Sequence, residues 1–267
     1  MEPKIIKEEW VKMLHEEPYD PMNEKLVANR ARCKKACEDF NIAGQVTRRR
    51  KVELWREILG IKTKKDAALF DETYPFVEGP IFVINGLNLK VGAGTRLGLN
   101  MVIEDASPIK IGQRVSIEPN VSLFGEIRPL DPAMRQGPNR LVAGRGIYIG
   151  DDVFIAGGAT ILGGVTIGKG SMVGTGSVVG GDVPPFHFVA GNLATFMKKI
   201  PTQMDSEYGN DQGGGKKKKP KQGSTKDPKQ GNEADDRGGR KDKHQGQGQR
   251  KREGKRAERA QGTMFGE

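Results

Sequence analysis

Cysteine and histidine are scarce, with two Cys and three His in 267 residues. Two cysteines cannot staple a secreted scaffold of this size. No apolar run approaches the ~18 residues of a helical membrane span, so a transmembrane protein is excluded and no membrane contact is expected. The opening MEPKIIKEEW lacks the apolar stretch of a secretory signal. These absences point to a cytoplasmic protein in a reducing compartment. Cys33 and Cys37 lie four apart, on one face of a helical stretch. Two thiolates alone make a poor metal site, and no His or Cys is placed to complete one. They are read as small buried hydrophobes, and no metal site is expected.

The net charge of +10 is unevenly placed. Residues 205–267 hold 17 Lys+Arg against 11 Asp+Glu, a balance of +6, which leaves +4 for the other 204 residues. Gly, Lys, Gln, Asp and Arg dominate this tail, whose only apolar residues are Tyr208, Ala234, Ala257, Ala260, Met264 and Phe265. Such a segment cannot bury enough surface to offset ordering entropy, so 205–267 reads as a disordered basic tail. The run Lys216–Lys219, Pro220, Lys221 resembles a nuclear-import signal or a nucleic-acid patch. A solvated charged tail is the preferred reading, because no aromatics are interleaved for base stacking. Any nucleic-acid association would run through this tail alone.

Residues 1–60 read as a helical segment. Leu26, Asn29, Arg30, Cys33 and Cys37 share a helix face, and 24–40 has neither Gly nor Pro. Asp20-Pro21 is the expected cap. A second helix over about 45–59 carries Val52, Leu54, Trp55, Ile58 and Leu59.

The middle of the chain has a different period. Ile149, Ile155, Ile161, Ile167, Val173 and Val179 each follow the last by six residues. Small residues follow most of them: Gly150, Ala156, Gly168, Gly174 and Gly180, with Leu162 the exception. Four residues after each comes Val153, Ala159, Val165, Ser171, Ser177 or Val183. An earlier run holds the same spacing at Val91, Leu97 and Ile103, then slips by two and resumes at Ile111, Ile117 and Leu123. A period of six matches neither a helix nor a simple strand. It fits a solenoid in which every sixth side chain enters one narrow core. This is the hexapeptide signature of a left-handed parallel β-helix, over residues 61–204. The pattern breaks over about 125–146, GEIRPLDPAMRQGPNRLVAGRG, which must leave the coil as a loop.

EEPYDPMNEKLVANRARCKKACEDFN, the hexads, RPLDPAMR, GSVVGGDVPP and VAGNLATFMKKI together resemble the maltose and galactoside O-acetyltransferases, over roughly residues 10–200. The resemblance implies a homotrimer with active sites between subunits. It also implies acetyl-CoA as co-substrate, no tightly bound cofactor, and a small-molecule hydroxyl acceptor such as a sugar. A hydroxyl needs a general base as it attacks a thioester, and the family uses a loop His before Pro-Leu-Asp-Pro. Here that position is Arg128, in Ile127-Arg128-Pro129-Leu130-Asp131-Pro132. Arginine stays protonated and cannot be a base. Loss of a general base typically costs ~10²–10⁴ in rate.

By the same resemblance Asn100 orients the acceptor or stabilises the oxyanion, and Asp105 and Asp20 bind the acceptor. Asp131 or Asp105 is left to serve as base, with Arg128 on an anionic acceptor or the oxyanion. At the CoA end the family's Thr-Lys-Asp is Gly180-Gly181-Asp182, and its Gly-Asn-Pro is Gly191-Asn192-Leu193. Gly157, Thr175, Ser177 and Lys198 remain as CoA contacts. The preferred function is an O-acetyltransferase with altered loop chemistry. The alternative is an inactive trimeric relative kept as a binding or scaffold protein.

Because the tail lacks apolar content, deleting residues 205–267 is expected to leave the melting temperature unchanged by calorimetry. A large drop would mean that the tail packs on the coil.

Overall fold

The computed structural model describes residues 3–61, 74–135 and 141–204. The tail reading, including the Lys216–Lys221 run, lies outside the described residues. Three helices open the chain: α1 (Pro3–Leu14), α2 (Glu24–Ile42) and α3 (Arg48–Ile58). The expected helix cap is corrected. Asn23, not Asp20-Pro21, caps α2, its side chain accepting from the Lys25 N–H. Asp20 instead accepts from the Met22 N–H at 2.8 Å, closing the turn ahead of the helix. Thr47 caps α3 in the same manner through the Arg50 N–H. α2 buries Leu26, Cys33, Ala36, Cys37 and Phe40, and α3 buries Val52, Leu54, Trp55 and Ile58. Cys33 and Cys37 are therefore core residues, as expected, and both remain thiols.

The rest is a parallel β-helix of about five coils. The first coil holds β1 (Phe76–Val77), β2 (Ile81–Val83) and β3 (Leu89–Val91). The second holds β4 (Arg96–Leu97), β5 (Met101–Glu104) and β6 (Ile109–Ile111). The third begins with β7 (Ser116–Ile117) and β8 (Ser122–Phe124), and leaves the coil through β9 (Glu126–Ile127). It returns through β10 (Ala143–Gly144), antiparallel to β9, and completes the coil with β11 (Ile147–Ile149). The fourth holds β12 (Phe154–Ile155), β13 (Thr160–Leu162) and β14 (Thr166–Ile167), and the fifth β15 (Met172–Val173) and β16 (Val178–Val179). An antiparallel hairpin, β17 (His187–Gly191) and β18 (Ala194–Lys199), follows.

Like strands stack on like strands, which makes three faces. One face runs β1-β4-β7-β12-β15-β17-β18, the second β2-β5-β8-β13-β16 and the third β3-β6-β11-β14. Ile149, Ile155, Ile161, Ile167, Val173 and Val179 are all buried, and so are the corner residues Val153, Ala159, Val165, Ser171, Ser177 and Val183. Each aliphatic stacks in register on its counterpart one coil away, as Ile161 does between Leu123 and Val179. Burial of each such side chain contributes about 1.5–3 kcal/mol. The two-residue slip between Ile103 and Ile111 falls at the Asp105–Pro108 corner. There Asp105 and Ser107 are fully buried and polar.

Candidate active site

The N-terminal segment is clamped onto the coil where the loop leaves it. Trp10 donates its indole N–H to Asn88 Oδ1 at 2.8 Å, and Ser107 donates its hydroxyl to the Met13 carbonyl at 2.9 Å. Glu16 accepts from the Gly146 N–H at 2.8 Å. Tyr19 and Val142 exchange backbone hydrogen bonds of 2.9 and 3.1 Å, so the N-terminal segment pairs with the returning arm of the loop.

This clamp encloses a cavity of ≈ 280 Å³. Tyr19, Pro21 and Met22 form one wall, Arg30 of α2 another, and Glu126 and Arg128 the loop side. Ile84, Asn85, Glu104 and Ala106 come from the coil. Arg128 pairs with Glu126 at 2.5 Å, and the carboxylate is much the less exposed partner. The two side chains meet because they lie two apart at the start of the loop and so leave the chain on one side. Arg30 is held by donating to the Pro21 carbonyl at 2.5 Å. Burial pushes the Tyr19 hydroxyl well above the usual tyrosine range, and the negative charge of Glu126 adds to this.

Glu104 is the half-buried carboxylate of the cavity. It stands on the outward side of β5, opposite Phe124 of β8 in the next coil. Burial raises its pKa above the usual carboxylate range and the Glu126 charge raises it further, while a backbone hydrogen bond from Glu126 and the charge of Arg128 oppose both.

The residues expected at this site separate. Arg128 reaches the cavity. Asp20 sits between two lining residues, but its carboxylate is committed to the Met22 N–H. Asn100 is exposed at a coil corner with φ 59° and donates to Asn120 Oδ1 at 3.2 Å. Asp131 is exposed and caps a single 3₁₀ turn, Pro132–Met134, accepting from the Ala133 N–H at 2.9 Å. Its carboxylate is a local cap at the loop and does not line the cavity.

The Asp105 assignment is corrected. Asp105 is 0% exposed and points into the coil corner, where its carboxylate accepts from the Asn85 and Asn88 N–H groups at 2.8 and 3.2 Å. Its own carbonyl accepts from both of those side-chain amides, at 3.1 and 2.9 Å. An acceptor cannot reach it. Of the two neighbouring carboxylates it is Glu104 that faces the cavity.

Glu104, Glu126, Tyr19 and Arg30 were not among the site residues expected from the sequence. A signal existed for one of them. Glu104 follows the inward Ile103, so the spacing puts it on the outward face, with the apolar Val102 two residues before it on that face.

The CoA-end residues lie on the later coils. Ser177 is fully buried, and its hydroxyl accepts from the Gly191 N–H at 3.1 Å, so its expected role as a ligand contact is corrected to pinning the β17–β18 turn. Gly157 is part-buried at a corner, where a Cβ would come within 3.2 Å of the Pro119 carbonyl. Thr175 and Lys198 are exposed. Beside them is a second cavity of ≈ 310 Å³, lined among others by Gly181, Asp182, His187, Ala194 and Phe196. His187 packs against Phe196 with the ring centroids 5.2 Å apart and the planes tilted by 53°, and its Nδ1 lies 2.8 Å from the Pro185 carbonyl.

A coiled β-solenoid with a helical cap and one loop at the cap's edge is the architecture of a hexapeptide-repeat protein. The model for the maltose acetyltransferase hexapeptide capping motif matches residues 12–61, and that for the bacterial transferase hexapeptide (six repeats) matches 146–181. The sophorolipid acetyltransferase of Starmerella bombicola is 33% identical over 200 residues, covering 75% of this chain and 76% of that protein. The crystal structure of a maltose O-acetyltransferase from Clostridium difficile 630 superposes with a TM-score of 0.64 at 31% identity, over 73% of this chain and 98% of that one. A hexapeptide-repeat acetyltransferase from Vibrio cholerae, solved with acetyl coenzyme A, gives 0.63 at 30% identity, over 73% and 99%. The chain belongs to the maltose and galactoside acetyltransferase branch of the hexapeptide-repeat family.

Burial pushes the Asp105 carboxyl up to about 7 from an ordinary value of 3.8. The folded protein therefore holds this proton more tightly than the unfolded chain does. The resulting stabilisation is complete below about pH 4 and is lost as pH rises through about 7. Scanning calorimetry across this window is expected to show a stability slope in wild type that Asp105→Asn removes. An unchanged slope would mean that Asp105 is already ionised in the fold.

Proposed function

We propose that the protein is an acetyl-CoA-dependent O-acetyltransferase acting on a hydroxyl of a sugar or other small molecule, with Arg128 in place of the family's loop His. The observation that carries this reading is the cavity of ≈ 280 Å³ in which the N-terminal segment, α2, the coil and the loop converge. Pockets of about this scale hold small molecules. Its two carboxylates and two guanidiniums balance, which suits a neutral polyol.

Arg128, drawn to Glu126, holds a positive charge at the mouth where an oxyanion would develop. Asp20, between the lining residues Tyr19 and Pro21, and Asn100, exposed at its coil corner, remain candidate acceptor contacts. Acetyl-CoA, the ligand of the Vibrio cholerae relative, would run along the later coils past Gly157 and Thr175 towards Lys198. In this reading residues 1–60 cap the acceptor side and 61–204 carry both sites.

Calorimetry with acetyl-CoA, followed by thiol release in the presence of simple glycosides, tests the reading. Binding and acceptor-dependent release are expected. Arg128→Ala should reduce release by more than about tenfold, since removing a single oxyanion donor has at least that effect. No acetyl-CoA binding overturns the reading in favour of an inactive scaffold. That second reading draws on one observation, that no histidine is among the described residues lining the cavity.

The same reading includes a homotrimer. The second face of the coil exposes Phe82, Phe124 and Leu162, with Leu162 in register on Phe124. A group of exposed large apolar side chains on one face is ordinarily covered by a partner. Light scattering of the full chain is expected to give three times the chain mass of 29.2 kDa. A monomer at micromolar concentration would contradict it.

A further inference from the structure

We propose that Glu104 is the general base of the transfer, taking the proton of the acceptor hydroxyl in the cavity that Arg128 and Glu126 close. This rests on the acetyltransferase reading and supplies the base that Arg128 cannot be. The two aspartates first considered for that task are excluded by geometry, one walled into a corner and one capping an exposed turn.

Three observations support Glu104. It lines the cavity, so an acceptor bound there can touch it. Its neighbours along the stacked face are apolar, with Phe124 opposite in the next coil and Ile84 preceding it in the coil before, which removes solvent from the carboxylate without supplying a counter-ion. And the loop cation is already engaged, because Arg128 pairs with Glu126.

The charged and titratable groups facing Glu104 come from three elements. Glu126 and Arg128 face it from the loop, Tyr19 from the N-terminal segment and Arg30 from α2, while the Asp105 carboxylate is turned away into the corner. Burial and Glu126 together raise its proton affinity above that of an ordinary glutamate. A base of raised affinity is a better proton acceptor near neutral pH, provided that it remains ionised there.

The hydroxyl proton passes to a Glu104 carboxylate oxygen as the acceptor oxygen bonds to the thioester carbonyl carbon. The tetrahedral oxyanion then collapses, the carbon–sulfur bond breaks with its electron pair leaving on sulfur, and Glu104 returns the proton to the CoA thiolate. The products are an acetyl ester and free CoA, and Glu104 is ionised again.

The test is the pH dependence of thiol release by the full chain, with acetyl-CoA and a glycoside. Wild type should show an acid limb, activity rising as Glu104 deprotonates. Glu104→Gln should lose ~10²–10⁴ in kcat together with that limb, with acetyl-CoA affinity unchanged. Two neighbouring variants should move the limb in opposite directions. Glu126→Gln removes a negative charge and shifts it to lower pH, while Arg128→Ala removes a positive one and shifts it to higher pH. A mere structural role for Glu104 would not produce this pair of shifts. Glu104→Gln that retains the rate and the limb overturns the proposal while leaving the transferase reading intact. Wild type that binds acetyl-CoA but releases no thiol also overturns it. Wild type that fails to bind acetyl-CoA defeats the transferase reading itself, and the base assignment with it.

Discussion

The structure depends on register between stacked coils. Each inward aliphatic must sit on its counterpart one coil away, as Ile103 sits on Leu123 and Leu123 on Ile161. With that column fixed, the alternation of side chains across a strand fixes the outward residues too. Glu104 faces outward because Ile103 faces in. Phe124 stands opposite it because Leu123 stacks on Ile103. Core packing thus sets the carboxylate on the outward face, and the loop adds a backbone hydrogen bond from Glu126 and the charges of Glu126 and Arg128.

The second constraint is the clamp of the N-terminal segment. It is tied down at three places: Trp10 donates to the 85–88 turn, the Met13 carbonyl at the end of α1 accepts from Ser107, and the Glu16 side chain and the Tyr19 backbone hold the returning arm of the loop. Asp105 ties the inner side of the 85–88 turn with four hydrogen bonds. Buried polar groups satisfied in this way specify one arrangement, whereas apolar contacts alone would tolerate several. The cavity is bounded by elements tied to one another by hydrogen bonds, as suits a preorganised site.

Much of the fold was legible in the sequence because a period of six admits few structures. Val153, Ala159 and Ile161 could be placed in the core from spacing alone. The helix start was not legible at the level of the cap, since Asp20-Pro21 and Asn23 both carry suitable chemistry and only the path of the chain decides between them. The site was legible in part. Arg128 could be found from the loop motif around it. Asp105 and Ser177 carried functional side chains that the fold turned inward, and a hydroxyl or carboxylate at a corner looks the same in sequence whether it serves a ligand or a neighbouring backbone N–H. Glu104 and Glu126 lie twenty-two residues apart in the chain and meet only because β9 leaves the coil next to β5.

The central claim is that the acceptor hydroxyl is delivered to Glu104 inside this cavity. A crystal structure of the full chain with CoA and a simple glycoside tests it most directly. The account predicts a sugar hydroxyl within about 2.6–3.2 Å of a Glu104 carboxylate oxygen, the reach of direct proton transfer. A glycoside bound with its hydroxyl against another base, and Glu104 facing only solvent or protein, would contradict it.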